Sequence, residues 1–254
     1  NLDFRRVSRS AGGDMQADLS TGAGVQAAMQ GVDTVVSLAH SKFTGRILDA
    51  MPVTVSKVVL TGSAWRYSEV PNIRADQVRN AEALFLNRKC NGVMLHPTMI
   101  YGGEQENNIK RLLRAIRLLP IIPAPGGGKQ IVQPIYIDDV VSCFFSAIAK
   151  DWRGSHVLPL AGPPLTWREM VRSCAKSIHR SKPIVSVPAL PVIVGLTILN
   201  KIGIKQVDAN IVRRFRENVD VPTSAMMESL SVRPRDFESG IEQAVADWTR
   251  DGTL

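Results

Sequence analysis

Cysteine, aromatic residues and acids are all scarce in this chain, and each shortage excludes something. Of 254 residues only 3 are cysteine (Cys90, Cys143 and Cys174), an odd number set far apart. That spacing suits neither a disulfide framework nor a zinc or redox motif, so the thiols read as buried side chains in a reducing, cytoplasmic compartment. Aromatics make up 6%. No basic stretch is interleaved with them, so a stacking surface for nucleic acid is not expected. The 4 histidines (His40, His96, His156, His179) are scattered without ligand spacing, and no metal site is expected. A G-x-S-x-G elbow is missing, which argues against a serine hydrolase. Internal repeats and low-complexity tracts are absent. Ile184–Asn200 is uncharged between Lys182 and Lys201 but holds two prolines. It falls short of the roughly 20 residues of a membrane span, so it reads as a buried loop and helix, with a membrane-dipping segment as the alternative. The chain opens on Asn1-Leu2-Asp3-Phe4-Arg5-Arg6-Val7 without a basic-then-apolar leader, so no signal peptide is expected.

What is present is globular. Apolar residues account for 44% and charged residues 21%, and the length suits one large core or two modest ones. Lysine plus arginine reach 31 against 23 acids, a formal charge of +8. Such a balance attracts phosphates, nucleic acid or an anionic membrane, without choosing among them. Short Val/Ile-rich runs at Asp33–Ala39, Lys57–Thr61, Gly92–Leu95 and Ile131–Ile137 read as strands buried on both faces. Between them lie helical segments. Ser20 or Thr21 can cap one running to Gln30, where Gly31 ends it. Asn72–Asn87 carries Ala81, Leu84 and Phe85 on one face, and Ile109, Leu112, Leu113 and Ile116 follow helical spacing. Thr166-Trp167-Arg168-Glu169 is a capping box opening a helix to His179, and Asp236 opens a last one with Ile241, Ala244 and Trp248. Alternating strands and helices predict βαβ units and a parallel sheet. After about residue 150 prolines cluster and clear strands become rare. A main domain over 1–150 and a smaller lobe over 151–254 are therefore expected.

A set of weak motifs then runs in a definite order. Gly22-Ala23-Gly24-Val25-Gln26-Ala27 matches G-x-G-x-x-A but follows no apolar strand, which makes it a poor phosphate loop. Val7-Ser8-Arg9-Ser10 comes before it, and so does Asp18-Leu19. Gly31 to Ala39 (GVDTVVSLA), Val59 to Tyr67 (VLTGSAWRY), His96 to Gly102 (HPTMIYG) and Ile135 to Val140 (IYIDDV) complete the series. In this order the segments resemble the extended short-chain dehydrogenase/reductases, the NAD-dependent epimerase/dehydratase family. Within it they look most like the atypical branch that includes the complex I 39-kDa-subunit type. The resemblance implies an α/β fold: a Rossmann-type doubly wound parallel sheet with a small C-terminal α/β lobe, and a substrate cleft between the two. In that family a first strand and a G-x-x-G-x-x-G loop come before the segment that Val7 begins. The main domain here therefore looks one βα unit short, and a segment upstream of Asn1 is the expectation, with natural truncation as the alternative.

The resemblance also assigns a site. Arg9, Asp18, Leu19, Leu38, Ala39, His40 and Pro97 fall at cofactor positions. An Arg just past the second Rossmann strand favours the 2′-phosphate, so NADP is expected, NAD being the alternative; a merely solvated basic edge is the plainer reading of Arg9. Ser63 falls at the catalytic serine, and it reads equally well as a strand-end hydroxyl serving the backbone. The family's Tyr-x-x-x-Lys pair, in which Lys lowers the Tyr pKa, is missing: four residues after Tyr67, Tyr101 and Tyr136 stand Pro71, Gln105 and Val140. The pair's positions fall at Arg74 and Val78. Tyr67 could substitute as acid with Arg66 lowering its pKa, against an ordinary packing or pocket role. Arg74, Tyr101 and Lys129 are the substrate-side candidates. Lys110, Arg111, Arg114 and Arg117 form the polar face of one helix, read as solvated, with a phosphate-attracting rim as the sharper alternative. The expected ligand is a small phosphorylated molecule such as a nucleotide-sugar. A peripheral membrane or protein partner and a homodimer stay open. Two functions follow: an oxidoreductase or isomerase, or a catalytically lapsed NAD(P)-binding protein with a structural, assembly or sensing role.

Overall fold

The computed structural model describes residues 3–188 and 220–254. In chain order the elements begin with β1 (Val7–Ser8), β2 (Met15–Gln16), α1 (Val25–Ala28), β3 (Thr34–Ser37), α2 (Thr44–Ala50), β4 (Lys57–Thr61), α3 (Ile73–Arg88) and β5 (Gly92–Pro97). They continue with β6 (Ile100–Tyr101), α4 (Asn108–Leu118), β7 (Ile122–Pro125), β8 (Ile131–Val132), β9 (Ile135–Tyr136), α5 (Ile137–Ala149) and β10 (Ser155–Leu160). Last come β11 (Leu165–Thr166), α6 (Trp167–Ser177), β12 (Ile184–Val187), α7 (Ser224–Leu230) and α8 (Phe237–Arg250). They pack as two compact units, the first from the start to Arg66 with Ile73–His96 and Phe144–Leu158, the second Tyr67–Asn72, Pro97–Cys143 and Pro159 onward. The chain thus passes between the units repeatedly, whereas the sequence pattern changes once, near residue 150.

The first unit is built on a four-stranded sheet in the order β10-β5-β4-β3, in which β3, β4 and β5 run parallel. Continuous β-branched runs suit a sheet covered on both faces, and Val58, Val59, Val93 and Met94 are fully buried. Helices flank it. Phe85 and Ala81 of α3 pack with Ile47 and Leu48 of α2 and with Leu60 and Met94. Lys57 closes the end of α5, its ammonium donating to the carbonyls of Ile148 (2.6 Å) and Lys150 (3.2 Å). β1 and β2 pair with each other in parallel as a separate two-stranded ribbon.

The second unit gathers α4, α6 and α8 around one core: Ile109, Leu113 and Ile116; Met170, Val171 and Cys174; Phe237, Ile241, Ala244 and Trp248. The capping box at Thr166 and Glu169 forms as the sequence predicts, and Asp236 caps α8 by accepting from Ser239 N at 2.8 Å. β12 pairs in parallel with β7, β6 with β9 in parallel, and β11 with β8 antiparallel.

Several sequence expectations shift. The helix expected from Ser20 to Gln30 shrinks to α1, because Gly22 and Gly24 take φ of 92° and 73° and bend the chain into a turn, Gly22 N donating to Asp18 O. The run Ile131–Ile137 is broken where Pro134, lacking an N–H, interrupts the ladder; Ile137 opens α5, with Asp138 and Asp139 in its first turn. The segment Ile184–Asn200 begins as strand β12, and its part from 189 onward lies outside the described residues. Among the described residues no helix is long and apolar enough to cross a membrane.

Candidate functional site

The corner after β4 is the most organised polar site of the first unit. β4 ends at Thr61, Gly62 and Ser63 turn the chain, and Ala64–Tyr67 form one 3-10 turn before α3. Gly62 is required here: a Cβ on it would stand 2.2 Å from His96 Nδ1. His96, fully buried near the end of β5, accepts from Ser63 N through Nδ1 at 3.0 Å. The same nitrogen lies 3.2 Å from Ser63 O, and Nε2 faces Glu82 Oε2 at 3.1 Å, so the ring bridges the Ser63 backbone and the carboxylate. Glu82, buried on α3, also takes Arg66 Nε at 2.9 Å. Burial opposes the ionisation of Glu82, but hydrogen bonds from His96 and Arg66 and the Arg66 charge prevail and hold it below the usual carboxylate range. The result is a fixed chain from Arg66 through Glu82 and His96 to the Ser63 backbone. Ser63 Oγ accepts from Trp65 N at 3.3 Å, which keeps the hydroxyl at the strand end.

Of these residues the sequence singles out Ser63; Glu82 and His96, which hold it, carry no local signal of that role. Tyr67 closes the 3-10 turn. The cation expected to activate it, Arg66, is bound by Glu82, whose negative charge offsets the guanidinium. On α3, Arg74 lies exposed in the first turn with its guanidinium 5.8 Å over the Trp65 ring, and Val78 is buried in the core.

A second site lies among the turn after β2 and helices α1 and α2, still in the first unit. Leu19, Ser20, Thr21, Gly22, Lys42, Phe43 and Arg46 line an open hollow of about 810 Å³. Asp18 organises the turn, its Oδ1 accepting from Ser20 Oγ at 2.6 Å and Ser20 N at 2.7 Å, and these bonds hold its carboxyl below the usual range. His40 Nδ1 accepts from Lys42 N at 3.2 Å and so starts the turn that carries Lys42 and Phe43. Leu38 is 73% exposed, and Ala39 is half-buried. Three arginines stand at the β1 edge, and two are engaged. Arg5 donates to the carbonyls of Ala28 and Gln30, and Arg6 pairs with Asp14 at 3.3 Å. Arg9 is exposed just past β1, close enough to Asp18 to contribute to its lowered pKa.

The remaining sequence candidates fall in the second unit. Pro97 is buried at the end of β5, and Lys129 is exposed after the Gly126–Gly128 turn. Tyr101 is 1% exposed. It packs at 5.4 Å and 4.9 Å between ring centroids against Tyr136 and Phe237 and lays its hydroxyl over Gly240, where a Cβ would meet it at 2.1 Å. That placement gives it a packing role. Nearby, buried Asp139 accepts from Arg235 at 3.0 Å while the guanidinium lies 4.2 Å over the Tyr136 ring. Among the described residues no group of three His, Cys, Asp or Glu side chains converges to hold a metal.

No family model and no curated protein matches this sequence. Solved structures do. The UDP-glucuronic acid 4-epimerase of Bacillus cereus, bound to UDP-glucuronic acid and NAD, aligns over 94% of this chain and 83% of its own with a TM-score of 0.70 at 15% identity. MoeE5, in complex with UDP-glucuronic acid and NAD, aligns over 97% and 90% with a TM-score of 0.69 at 19% identity. DesIV, a dTDP-glucose 4,6-dehydratase from Streptomyces venezuelae with NAD bound, aligns over 96% and 82% with a TM-score of 0.69 at 14% identity. At such identities the likeness establishes the fold, a Rossmann-type α/β architecture shared with the extended epimerase/dehydratase enzymes.

Proposed function

We propose that this chain is an NAD(P)-binding, epimerase/dehydratase-like protein that holds a nucleotide-sugar or similar phosphorylated ligand without turning it over, in a structural, assembly or sensing role. The observation that carries the reading is the contrast on α3. The corner at Ser63, which the family resemblance assigns to catalysis, is held by His96 and Glu82, while Arg74 and buried Val78 occupy the positions that the same resemblance assigns to a phenol and an amine. The ligand class is supported by the solved structures of this fold, which hold UDP-glucuronic acid and NAD.

The fit to a dinucleotide divides along the molecule. Leu19, Phe43, Lys42 and Arg46 supply an apolar wall with cations, which suits an adenosine and its phosphate. The exposed Arg9 suits a 2′-phosphate, which supports NADP over NAD. The glycine turn at Gly22 and Gly24 follows the two-residue β2 and opens a helix of only four residues, which makes a poor cradle for the pyrophosphate. The narrower likeness to the complex I type rests on the order of sequence motifs. A cytoplasmic setting is supported by three free cysteines.

A second reading, an oxidoreductase or isomerase with Ser63 and Tyr67 as its catalytic groups, is favoured by the intact Ser63 position. Fluorescence titration with NADPH and NADH, with and without UDP-glucuronic acid, tests the binding claim. Saturable binding is expected, and Arg9→Asp should weaken NADPH by about tenfold while sparing NADH. Equal loss for both cofactors would refute the role of Arg9.

A further inference from the structure

The second unit carries a concave, basic surface that uses none of the residues assigned to the nucleotide. From Trp167 to Pro188 the sequence holds Arg168, Arg172, Lys176, Arg180 and Lys182 against one acid, Glu169. Arg168, Arg172 and Lys176 recur every fourth residue on α6, so they share one face at steps of about 6 Å. The helix then ends in a Schellman turn: His179 N donates to Lys176 O and Arg180 N to Ala175 O. His179 takes the left-handed position at φ 53°, usually held by glycine. That reversal carries Arg180, Ser181 and Lys182 back beside the same face toward Ile184. Together they wall a hollow of about 720 Å³ floored by Val171, Ala175 and Ile184, a volume within the usual range for a small-ligand site.

The charges here are unevenly engaged. Arg168 is fixed, donating to Gly127 O at 2.9 Å and Ile184 O at 3.2 Å, and Lys176 pairs with Glu238. Glu169 is used in the capping box and feels Arg172 only as its smallest influence. Arg172, Arg180 and Lys182 form no salt bridge among the described residues. Like charges four apart on a helix repel, so α6 bears repulsion that a multivalent anion would relieve.

We propose that this hollow binds a small anion bearing several phosphate charges, a polyphosphate or multiply phosphorylated metabolite, through Arg172, Arg180 and Lys182, with Arg168 as a preset neighbour. Concavity selects the class. Val171 and Ala175 are buried at the floor, out of reach of a flat bilayer, and the walls hold no Phe, Tyr or Trp for a base to stack upon, His179 being their one ring. The inference stands apart from the nucleotide reading and does not rest on it.

The test is calorimetric titration of the full chain with inorganic tripolyphosphate, beside orthophosphate and phosphatidylglycerol vesicles. Saturable one-to-one binding of tripolyphosphate is expected, stronger than orthophosphate and weakened by salt. The triple variant Arg172→Gln, Arg180→Gln, Lys182→Gln should lose about tenfold or more in affinity. A charge-matched variant, Arg88→Gln, Arg153→Gln, Arg233→Gln, should lose little. Arg180→Gln alone, outside the helix, should show a smaller loss and covers the case in which the triple variant does not fold. Absent tripolyphosphate binding overturns the proposal, and so does equal loss in the charge-matched variant. Vesicle binding that depends on these residues without tripolyphosphate binding overturns it in favour of a lipid surface.

Discussion

Glu82 Oε2 lies 3.1 Å from His96 Nε2, and the imidazole so fixed receives the backbone N–H of Ser63 on its other nitrogen. A carboxylate on α3 thereby holds the turn after β4 in place. Its folded-state pKa is depressed, so the stability it confers is present above the ordinary carboxylate pKa and is lost as pH falls through the lowered one. Glu82→Gln should cost about 1–3 kcal/mol at pH 7 in urea unfolding, toward the lower end because Arg66 is 39% exposed. The difference from wild type should narrow on acidification below the normal carboxylate range. A cost that is undiminished in acid would show that Glu82 acts by shape alone.

Tyr101 poses the opposite case, a buried polar group without a partner. Its hydroxyl has no hydrogen bond among the described residues, and burial pushes the phenol pKa up. Tyr101→Phe should leave stability unchanged or raise it by about 1 kcal/mol, read from the urea midpoint. It should not alter nucleotide-sugar affinity. A clear loss in either measurement would contradict the packing role.

His179 occupies left-handed backbone at the end of α6. Glycine meets that conformation without the Cβ penalty, so His179→Gly should raise stability by about 0.5–1 kcal/mol, measured by thermal or urea unfolding. A loss of stability would show that the imidazole makes a compensating contact.

How far the sequence discloses this molecule depends on the range of the interactions. β4 is legible because Lys57–Thr61 is a continuous β-branched run, and α6 and α8 because Thr166 and Asp236 are local caps. β10 is not, since Gly154, His156 and Pro159 interrupt its apolar pattern and only pairing beside β5 makes it a strand. On α3 the expected face included Leu84, which is 50% exposed, and omitted Glu82, which is buried. A carboxylate can face inward there because Arg66 and His96 satisfy it. Those partners are remote in sequence from Glu82, and nothing local signals the pairing. Ser63, Arg9, Asp18 and Tyr101 stand out in the sequence only as members of an ordered motif series, and the packing of Phe237 and Tyr136 around Tyr101 has no local signal there.

Binding of a nucleotide-sugar without hydride chemistry is checked by incubating the protein with NADP+ or NAD+ and UDP-glucuronic acid deuterated on its ring carbons, with mass spectrometry of both molecules alongside the binding titration. Saturable binding is expected, with no deuterium on the nicotinamide and the sugar's stereochemistry unchanged. Deuterium on the nicotinamide, or an epimerised sugar that disappears in the Ser63→Ala, Tyr67→Phe variant, would overturn the proposal.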